Sequence, residues 1–236
     1  MKNNWSENEA KKYIKKYKKL GHSEDMALRV YTTRLLGRNP ELVLHGGGNT
    51  SVKTKIKDID GKYYEVLCVK GSGWDMATNE SPGFAPVRLN TLKRLAELKT
   101  LSDTEMVRQQ RAAMTNPGAP NPSVEAILHA LIPFRYVDHT HADAVLAVTN
   151  HPDGEKSVQE IYGNRVIVIP YVMPGFVLAK KVRELTQGKN WADYEGMILM
   201  NHGIFTFDDD ARESYEKMIR LVTEAEDYVR QKGARE

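Results

Sequence analysis

The sequence predicts an α/β protein whose helices cover both faces of a central sheet. Three observations lead to this prediction. Helical periodicity occupies both ends of the chain, β-rich segments lie between them, and strands and helices alternate from residue 123 onward. Because amphipathic helices and half-buried strands must cover their apolar sides with other elements, this order favours a three-layer α/β/α arrangement.

Two helices are predicted at the N-terminus. Ser6 followed by Glu9 forms a capping box, and Gly21 can end the first helix. A second helix runs from Ser23, as its cap, to Gly37. The first helix is rich in lysine, and its apolar residues share one face: Tyr13, Ile14, Tyr17 and Leu20. We expect this face to lie on the protein body, with a membrane surface or a polyanion as the alternative partner.

The remaining elements follow in order along the chain. β-rich sequence extends from 42 to 69 and contains a glycine run and the Asp60-Gly61 turn signal. The later predictions are helices over 88–98 and 102–113, a loop over 116–122, a helix over 123–132, a strand over 135–140, a helix over 142–149, a strand over 166–169, a helix over 176–186, a strand over 197–200 and a closing helix over 210–231.

Length, composition and charge bound the possible functions. The 236 residues predict one domain over 1–236, with residues 1–37 as an N-terminal helical lead. The net charge of +3 comes from seven lysines in residues 1–20, and the rest of the chain is slightly acidic, which argues against nucleic acid as a partner. No apolar run is long enough for a membrane span and no secretory signal is present, so we expect a cytoplasmic protein without a membrane partner. Cys68 is the only cysteine, which excludes an internal disulfide and a cysteine-rich zinc module.

Three histidines form the clearest candidate metal site. His139 and His141 are two apart on a predicted strand, so their side chains point to the same face. His202 follows another predicted strand and precedes a glycine, where side chains project into loop-lined sites. Three imidazoles without a cysteine suit a zinc ion that keeps one position open. Asp138 and Asp143 are candidates to orient the rings, and unrelated histidines at strand ends are the alternative.

The glycine run His45-Gly46-Gly47-Gly48-Asn49 is a candidate anion-binding loop, because consecutive glycines expose backbone N–H groups. It is neither a dinucleotide fingerprint nor a Walker loop. Gly71-Ser72-Gly73, with Lys70 before it, could add further amides, a hydroxyl and charge. The alternative is that both segments are ordinary turns at strand ends.

Glu125 is the candidate acid/base group. Asn121 as cap and Pro122 as first helical residue would place Glu125 in the first turn of a helix. A carboxylate there often only complements the helix dipole, so it matters chemically only if the helix faces the metal. His129, four residues on, shares its face and is interpreted as structural or as a residue behind the site.

Taken together, these motifs resemble the class II aldolase/adducin family. They occur in the family's order between residues 40 and 210: Gly48-Asn49-Thr50-Ser51-Val52, Lys70-Gly71-Ser72-Gly73, Ser123-Val124-Glu125, His139-Thr140-His141 and Asn201-His202-Gly203. The segments over 71–76 and 122–145 look most like the aldolase portion of bifunctional aldolase/short-chain dehydrogenase proteins, of the rhamnulose-1-phosphate aldolase type. The resemblance implies a three-layer domain with a central mixed, mainly antiparallel sheet.

The resemblance also implies roles for individual residues. His139, His141 and His202 would bind Zn²⁺, or another divalent transition metal, and Glu125 would be the acid/base. The substrate phosphate would be held by a second set of residues: Gly48, Asn49, Ser72, Gly73 and Ser123. Val124 replaces a second serine of fuculose-phosphate aldolases, which leaves the charged group of the substrate open. Tyr171 and Tyr162 are candidates for the family's tyrosine proton donor.

The function implied is retro-aldol cleavage of a ketose 1-phosphate, such as rhamnulose or fuculose 1-phosphate, through a metal-stabilised enediolate. Sugar-phosphate 4-epimerases and decarboxylases of the family are enzymatic alternatives, and an adducin-like interaction domain is the non-enzymatic one. No Gly-x-Gly-x-x-Gly occurs, so we expect no NAD binding, and a dehydrogenase partner could be a separate chain. Family resemblance implies a homo-oligomer, namely a tetramer.

Overall fold

A computed structural model describes residues 1–233 of the protein. Within this range the strands form one seven-stranded sheet in the order β3-β2-β1-β4-β7-β6-β5. All neighbouring strands are antiparallel except β5 and β6, which are parallel. The strands are β1 (Asn49–Lys57), β2 (Tyr63–Lys70), β3 (Phe84–Arg88), β4 (Tyr136–Thr140), β5 (Val166–Ile169), β6 (Gly196–Leu199) and β7 (Gly203–Asp208). The predicted mixed, mainly antiparallel sheet is therefore confirmed.

Helices cover both faces of this sheet. In chain order they are α1 (Glu7–Lys19), α2 (Glu24–Gly37), α3 (Leu89–Leu95), α4 (Asp103–Ala112), α5 (Ala126–Leu131), α6 (Asp143–Thr149), α7 (Gly154–Tyr162), α8 (Phe176–Thr186) and α9 (Ala211–Gln231). Short 3₁₀ turns occupy Ser81–Gly83, Gly163–Arg165 and Trp191–Asp193. Among the helices of the described residues, none combines the length and the apolar character that a membrane crossing needs.

Alternation of side chains along the strands divides the core into two layers. Phe205 and Phe207 point to one face, where they pack with residues of α3, α4, α5 and α8. Ile204 points to the other face and packs with α6, α7 and α9. Val52 and Tyr136 also point to that second face, where they meet α1 and α2. The resulting three layers confirm the predicted α/β/α arrangement.

The N-terminal lead packs on the body as expected. Ser6 and Ser23 cap α1 and α2 through their side-chain oxygens. Tyr17 is fully buried among residues of α2, β1 and β2, and its hydroxyl donates to the Glu80 carboxylate. Leu20, predicted on the same apolar face, is instead exposed, because it follows the last helical residue and no longer continues that face.

Three elements lie where the sequence patterns gave no separate prediction: β3, α7 and β7. β7 is central to the sheet and directly follows the turn that carries His202. Five of its six residues are buried, because both faces of β7 are covered by helices. The helix predicted over 123–132 begins only at Ala126, which moves Glu125 out of the first turn.

Candidate active site

His139 is held rigidly in the middle of the sheet. It pairs with Asn49 of β1 on one side and with Phe205 of β7 on the other. Its ring is fully buried and stacks on the Phe205 ring, with 4.1 Å between the centroids. His141 follows the end of β4 and is partly exposed. The pair therefore marks the point where the core opens to solvent.

A tight turn between β6 and β7 brings His202 to the same place. Asn201 has a φ of 57°, a left-handed conformation that asparagine tolerates better than most residues. The backbone N–H of His202 donates to the Leu199 carbonyl at 3.1 Å, which closes the turn. Gly203 then starts β7 with a φ of 156°, and a Cβ there would lie 2.3 Å from the Thr140 carbonyl oxygen. This turn thus requires a glycine beside the histidines.

The three imidazoles converge on one point. One ring nitrogen from each of His139, His141 and His202 lies within 4.8 Å of the other two. The Nε2 atoms of His139 and His141 are 3.0 Å apart. Burial lowers the pKa of all three rings, most strongly that of His139. The neutral rings keep their lone pairs available, which is the form that binds a metal ion.

The orientation of His139 is set by the backbone. Its Nδ1 lies 3.0 Å from the Ile204 carbonyl, which can only accept, so Nδ1 carries the proton and Nε2 is free. The prediction that Asp138 and Asp143 orient the rings is wrong. Asp138 is adjacent to His139 on the strand and points to the opposite face, where it pairs with Arg29. Asp143 is exposed at the start of α6.

Glu125 lies against the histidines, but it precedes the helix instead of lying in its first turn. It is the N-cap of α5, and its Oε1 is 3.4 Å from His202 Nε2 while its Oε2 is 3.4 Å from His139 Nε2. Burial raises the pKa of Glu125, opposed by the nearby His202, by the Asn49 hydrogen bond and by Lys70. Oε1 has no hydrogen-bond partner within the described residues. The carboxylate is therefore buried beside the histidines, with one oxygen that makes no hydrogen bond to the described residues.

The segment before Glu125 is extended because it pairs with the second glycine segment. Gly71 and Pro122 form an antiparallel bridge. The Ser72 N–H donates to the Asn121 carbonyl at 2.8 Å, and the Ser123 N–H donates to the Lys70 carbonyl at 3.1 Å. This long-range pairing overrides the local helix signals of Asn121 and Pro122, so the predicted cap is wrong.

Asn49 and Ser123 are bound to Glu125 as well as to each other. The Asn49 Nδ2 donates to Glu125 Oε2 at 2.7 Å and to the Ser123 hydroxyl at 3.0 Å. The Ser123 hydroxyl also accepts from the Glu125 N–H at 3.3 Å. All three side chains are buried. The hydrogen-bonding capacity of the Asn49 amide is thus directed at the carboxylate.

The two glycine segments contact each other beside this cluster. A Cβ on Gly46 would lie 2.7 Å from the Gly73 carbonyl oxygen, and one on Gly47 would lie 3.6 Å from His141 Nδ1. The buried Lys70 ammonium donates to the carbonyls of Gly46, Gly71 and Trp74 and so ties the segments together. Burial lowers the pKa of Lys70 to about 8. No local sequence signal indicated this bridging role.

The other residues predicted to bind phosphate, Gly48, Ser72 and Gly73, lie in the two glycine segments beside the histidines. Gly48 has a φ of 58° and lies next to the backbone of His139, where a Cβ would be 2.8 Å from its carbonyl oxygen. Ser72 and Gly73 are exposed. The loop residues, Glu125 and the three histidines therefore form one continuous cluster.

The two tyrosine candidates differ in accessibility. Tyr162 is buried in the core, and its hydroxyl donates to the Leu221 carbonyl at 2.9 Å. Tyr171 is exposed, and its hydroxyl lies 3.1 Å from the Met173 sulfur. The hydroxyl of Tyr162 is thus engaged within the core, whereas Tyr171 faces solvent.

The residues present fit a bound divalent metal ion. Three neutral imidazoles present nitrogen atoms to one point, and an unpartnered, buried carboxylate oxygen lies beside them. Buried polar atoms without partners are rare, and a bound ion is one of the features that accounts for them. Imidazole ligands suit first-row transition metals.

Comparison with known proteins identifies the family. The sequence profile described as "Class II Aldolase and Adducin N-terminal domain" matches residues 27–229, which is most of the chain. The chain belongs to this family. Class II aldolases use a divalent metal, and the histidine cluster offers a place for one.

One solved member and one curated protein resemble the chain at similar identity. The N-terminal class II aldolase domain of a conserved protein from Thermoplasma acidophilum is 38% identical, with a TM-score of 0.84 over 97% of this chain and 99% of that one. An uncharacterized oxidoreductase, YuxG of Bacillus subtilis (strain 168), is 37% identical over 200 residues, or 85% of this chain. The match covers 29% of YuxG, so the chain spans less than a third of that relative's length.

More distant family members share the fold. The L-fuculose-1-phosphate aldolase of Thermus thermophilus is 19% identical, with a TM-score of 0.54 over 89% of this chain and 99% of that one. A sugar-phosphate aldolase from Thermotoga maritima is 16% identical, with a TM-score of 0.61 over 89% of this chain and 97% of that one. At these identities the likeness concerns the class II aldolase fold alone.

Proposed function

We propose that the protein is a zinc-dependent class II aldolase that cleaves a ketose 1-phosphate, such as rhamnulose or fuculose 1-phosphate, by a retro-aldol reaction. The observation that carries this proposal is the buried Oε1 of Glu125, which has no hydrogen-bond partner among the described residues and lies 3.4 Å from His202 Nε2 beside the convergent imidazoles. A carboxylate next to a metal site is the arrangement that moves a proton at a carbon adjacent to a carbonyl group.

His139, His141 and His202 are the proposed zinc ligands. Their neutral rings and the fixed tautomer of His139 support this assignment. Zinc bound there supplies a Lewis acid that polarises the oxygen atoms of the substrate beside the bond to be cleaved. The histidine set without cysteine leaves an open coordination position, as catalytic zinc sites do.

Glu125 is the proposed acid/base. Burial raises its pKa, which improves its ability to take up and return a proton near neutral pH. Asn49 holds Oε2, so the proton would be exchanged at Oε1. General acid/base groups of this kind typically contribute ~10²–10⁴-fold to the rate.

The substrate phosphate is proposed to lie against the two glycine segments. Gly48, Asn49, Ser72, Gly73 and Ser123 remain the proposed binding residues. The exposed Ser72 and Gly73, and the contact of Gly46 with Gly73, support a shared anion-binding surface. Asn49 and Ser123, whose side chains are bonded to each other, would shape the phosphate site, and the Ser72 hydroxyl and the backbone of Gly48 and Gly73 would contact the phosphate directly.

The assembly is proposed to be a cytoplasmic homotetramer of one-domain chains, each spanning residues 1–236 with residues 1–37 as the helical lead. The proposal of a tetramer rests on the family resemblance. Light scattering after size exclusion gives the mass directly. A dehydrogenase partner is proposed to be a separate chain.

The test combines metal content with product formation. Wild type is expected to bind one zinc per chain and to release dihydroxyacetone phosphate from a ketose 1-phosphate. His141→Ala should lose both properties, whereas His151→Ala, which changes an exposed histidine outside the cluster, should keep them. A native protein that binds no divalent metal contradicts the proposal, and a 4-epimer seen by NMR identifies an epimerase instead.

A further inference from the structure

A buried chain of hydrogen bonds leads from β1 through α5 to Glu125. The Ser51 hydroxyl is 2.7 Å from His129 Nδ1, and His129 Nε2 bonds the Asn49 Oδ1. The Asn49 Nδ2 then bonds Glu125 Oε2 at 2.7 Å. We propose that these side chains form a one-directional relay in which His129 is a positioning residue that holds the carboxylate of Glu125. This inference rests on the proposed role of Glu125 as acid/base.

The direction of the relay follows from the donors and acceptors. A carboxylate oxygen only accepts, so the Asn49 amide must present its NH₂ group to Glu125. The second hydrogen of that group goes to the Ser123 hydroxyl at 3.0 Å. The amide oxygen of Asn49 therefore faces His129 and needs a donor. Asn49 can fill this place in only one orientation.

The tautomer of His129 follows in turn. Because Asn49 Oδ1 accepts, the proton of the His129 ring must be on Nε2, and Nδ1 then carries the lone pair. Ser51 is left to donate its hydroxyl hydrogen to Nδ1. Ser51, His129 and Asn49 thus each donate toward the active site, and every hydrogen of the relay is assigned.

The surroundings of His129 hold the ring in place and keep it neutral. The ring is fully buried and meets the edge of Phe205, the same ring on which His139 stacks. The Lys53 ammonium donates to the backbone carbonyl of His129 at 2.9 Å. Burial lowers the pKa of His129 well below 6.5, and the nearby charges of Lys53 and Arg29 act in the same direction.

The relay decides which oxygen of Glu125 is available for chemistry. Oε2 is held by Asn49, while Oε1 has no partner in the part of the chain that the structure describes. Without the His129 donor the Asn49 amide can rotate, and the carboxylate loses its fixed orientation. Because proton transfer depends on sub-ångström placement of the base, a freely turning carboxylate lowers the rate without removing the metal ligands.

The first test reads the tautomer directly on zinc-loaded wild type without substrate. Two-bond ¹H–¹⁵N correlation spectra of protein labelled at histidine give the protonation of each ring nitrogen. His129 is identified by the signals that vanish in His129→Gln. We expect a neutral ring with the proton on Nε2. A proton on Nδ1, or a charged ring at pH 7, overturns the relay.

The second test separates positioning from folding. His129→Phe keeps a buried ring and removes the donor to Asn49, so kcat is expected to fall ~10–100-fold, the size seen when groups behind a metal site are removed, with KM and zinc content unchanged. His129→Gln offers an N–H to Asn49 and should recover part of kcat. His22→Phe is the matched control, because the His22 ring also bonds a serine hydroxyl, that of Ser81, outside the site, and should leave kcat unchanged.

A double-variant cycle tests whether the relay acts as one unit. If it does, His129→Phe combined with Asn49→Ala should lose little more kcat than the worse single change. Losses that multiply overturn the proposal. The outcomes remain distinct from those of the proposed function: an active aldolase with the proton on Nδ1 refutes only the relay, and an inactive zinc protein with the proton on Nε2 refutes only the aldolase.

Discussion

Arg29 and Asp138 form an ion pair in which both side chains are fully buried. The pair lies on the face of β4 opposite to His139. Arg29 also donates to the carbonyls of Ser51 and Val137, and Ser214 of α9 donates to Asp138. Four elements, α2, β1, β4 and α9, are thereby joined directly behind the histidine cluster.

Arg29→Met is expected to lower the free energy of unfolding by ~3–5 kcal/mol, because it leaves the Asp138 charge buried without its cation. Urea denaturation followed by circular dichroism measures the loss. Arg34→Met is the control, since Arg34 pairs with the partly exposed Glu80 and should cost about 1 kcal/mol or less. If both variants lose the same free energy of unfolding, the expected extra cost of breaking the buried pair is contradicted.

Glu125→Gln should abolish the acid/base step and spare the fold. We expect kcat to fall ~10²–10⁴-fold while zinc content is retained, because an amide cannot take up the proton. Burial raises the pKa of Glu125, so the ionised form is disfavoured in the folded state. The metal-free variant should therefore melt no lower than the metal-free wild type at pH 7. A variant with wild-type kcat removes Glu125 from the mechanism.

Gly203→Ala should disturb the turn that carries His202. The added Cβ would lie 2.3 Å from the Thr140 carbonyl oxygen and 3.2 Å from ring atoms of both His139 and His141. Overpacking of this kind typically costs ~1–3 kcal/mol, and we expect weaker zinc binding as well. Gly188→Ala is the control, because its φ is +77° but a Cβ there meets nothing within 4 Å. Calorimetric zinc titration of both variants isolates the effect of the clash.

His129 should make the stability of the metal-free protein depend on pH. Burial lowers the pKa of His129 well below 6.5, so below that pH the unfolded chain binds a proton that the folded chain does not. Stability therefore falls as the pH falls from 6.5, by about 1.4 kcal/mol per pH unit from this group.

Urea denaturation between pH 5.5 and 8, in the presence of a chelator, measures this slope. Wild type should lose stability more steeply than His129→Gln below pH 6.5, and the two slopes should agree above pH 7. Curves that stay parallel over the whole range show that His129 is not kept neutral by the fold.

Local patterns were sufficient to predict that the three histidines converge. The i, i+2 spacing of His139 and His141 and the position of His202 after an apolar run contain the necessary geometry. The same alternation should have excluded Asp138, which as the neighbour of His139 must point to the other face. The β-branched and aromatic residues over 203–208 likewise favoured a strand, although β7 is buried on both faces and shows no alternation of polar with apolar residues.

Long-range pairing explains what local patterns did not predict. The capping signals of Asn121 and Pro122 were overridden by hydrogen bonds to Lys70 and Ser72, which are distant in sequence. Lys70 offered charge to an anion in the sequence-based interpretation, but in the fold its ammonium is engaged by three carbonyls. Such roles depend on which segments meet, and no window of neighbouring residues contains that information.

The bridge between Gly71 and Pro122 also has a consequence for how the protein can vary. Residues 72–121, which include β3, α3 and α4, form an excursion of the chain between the two bridge residues. The bridge holds the two ends of this excursion next to each other. The excursion is also joined to the site from within, because the Gln110 side chain of α4 donates to the Val124 carbonyl at 3.3 Å. A change in α4 is therefore expected to reach the segment that carries Glu125, although the two are distant in sequence.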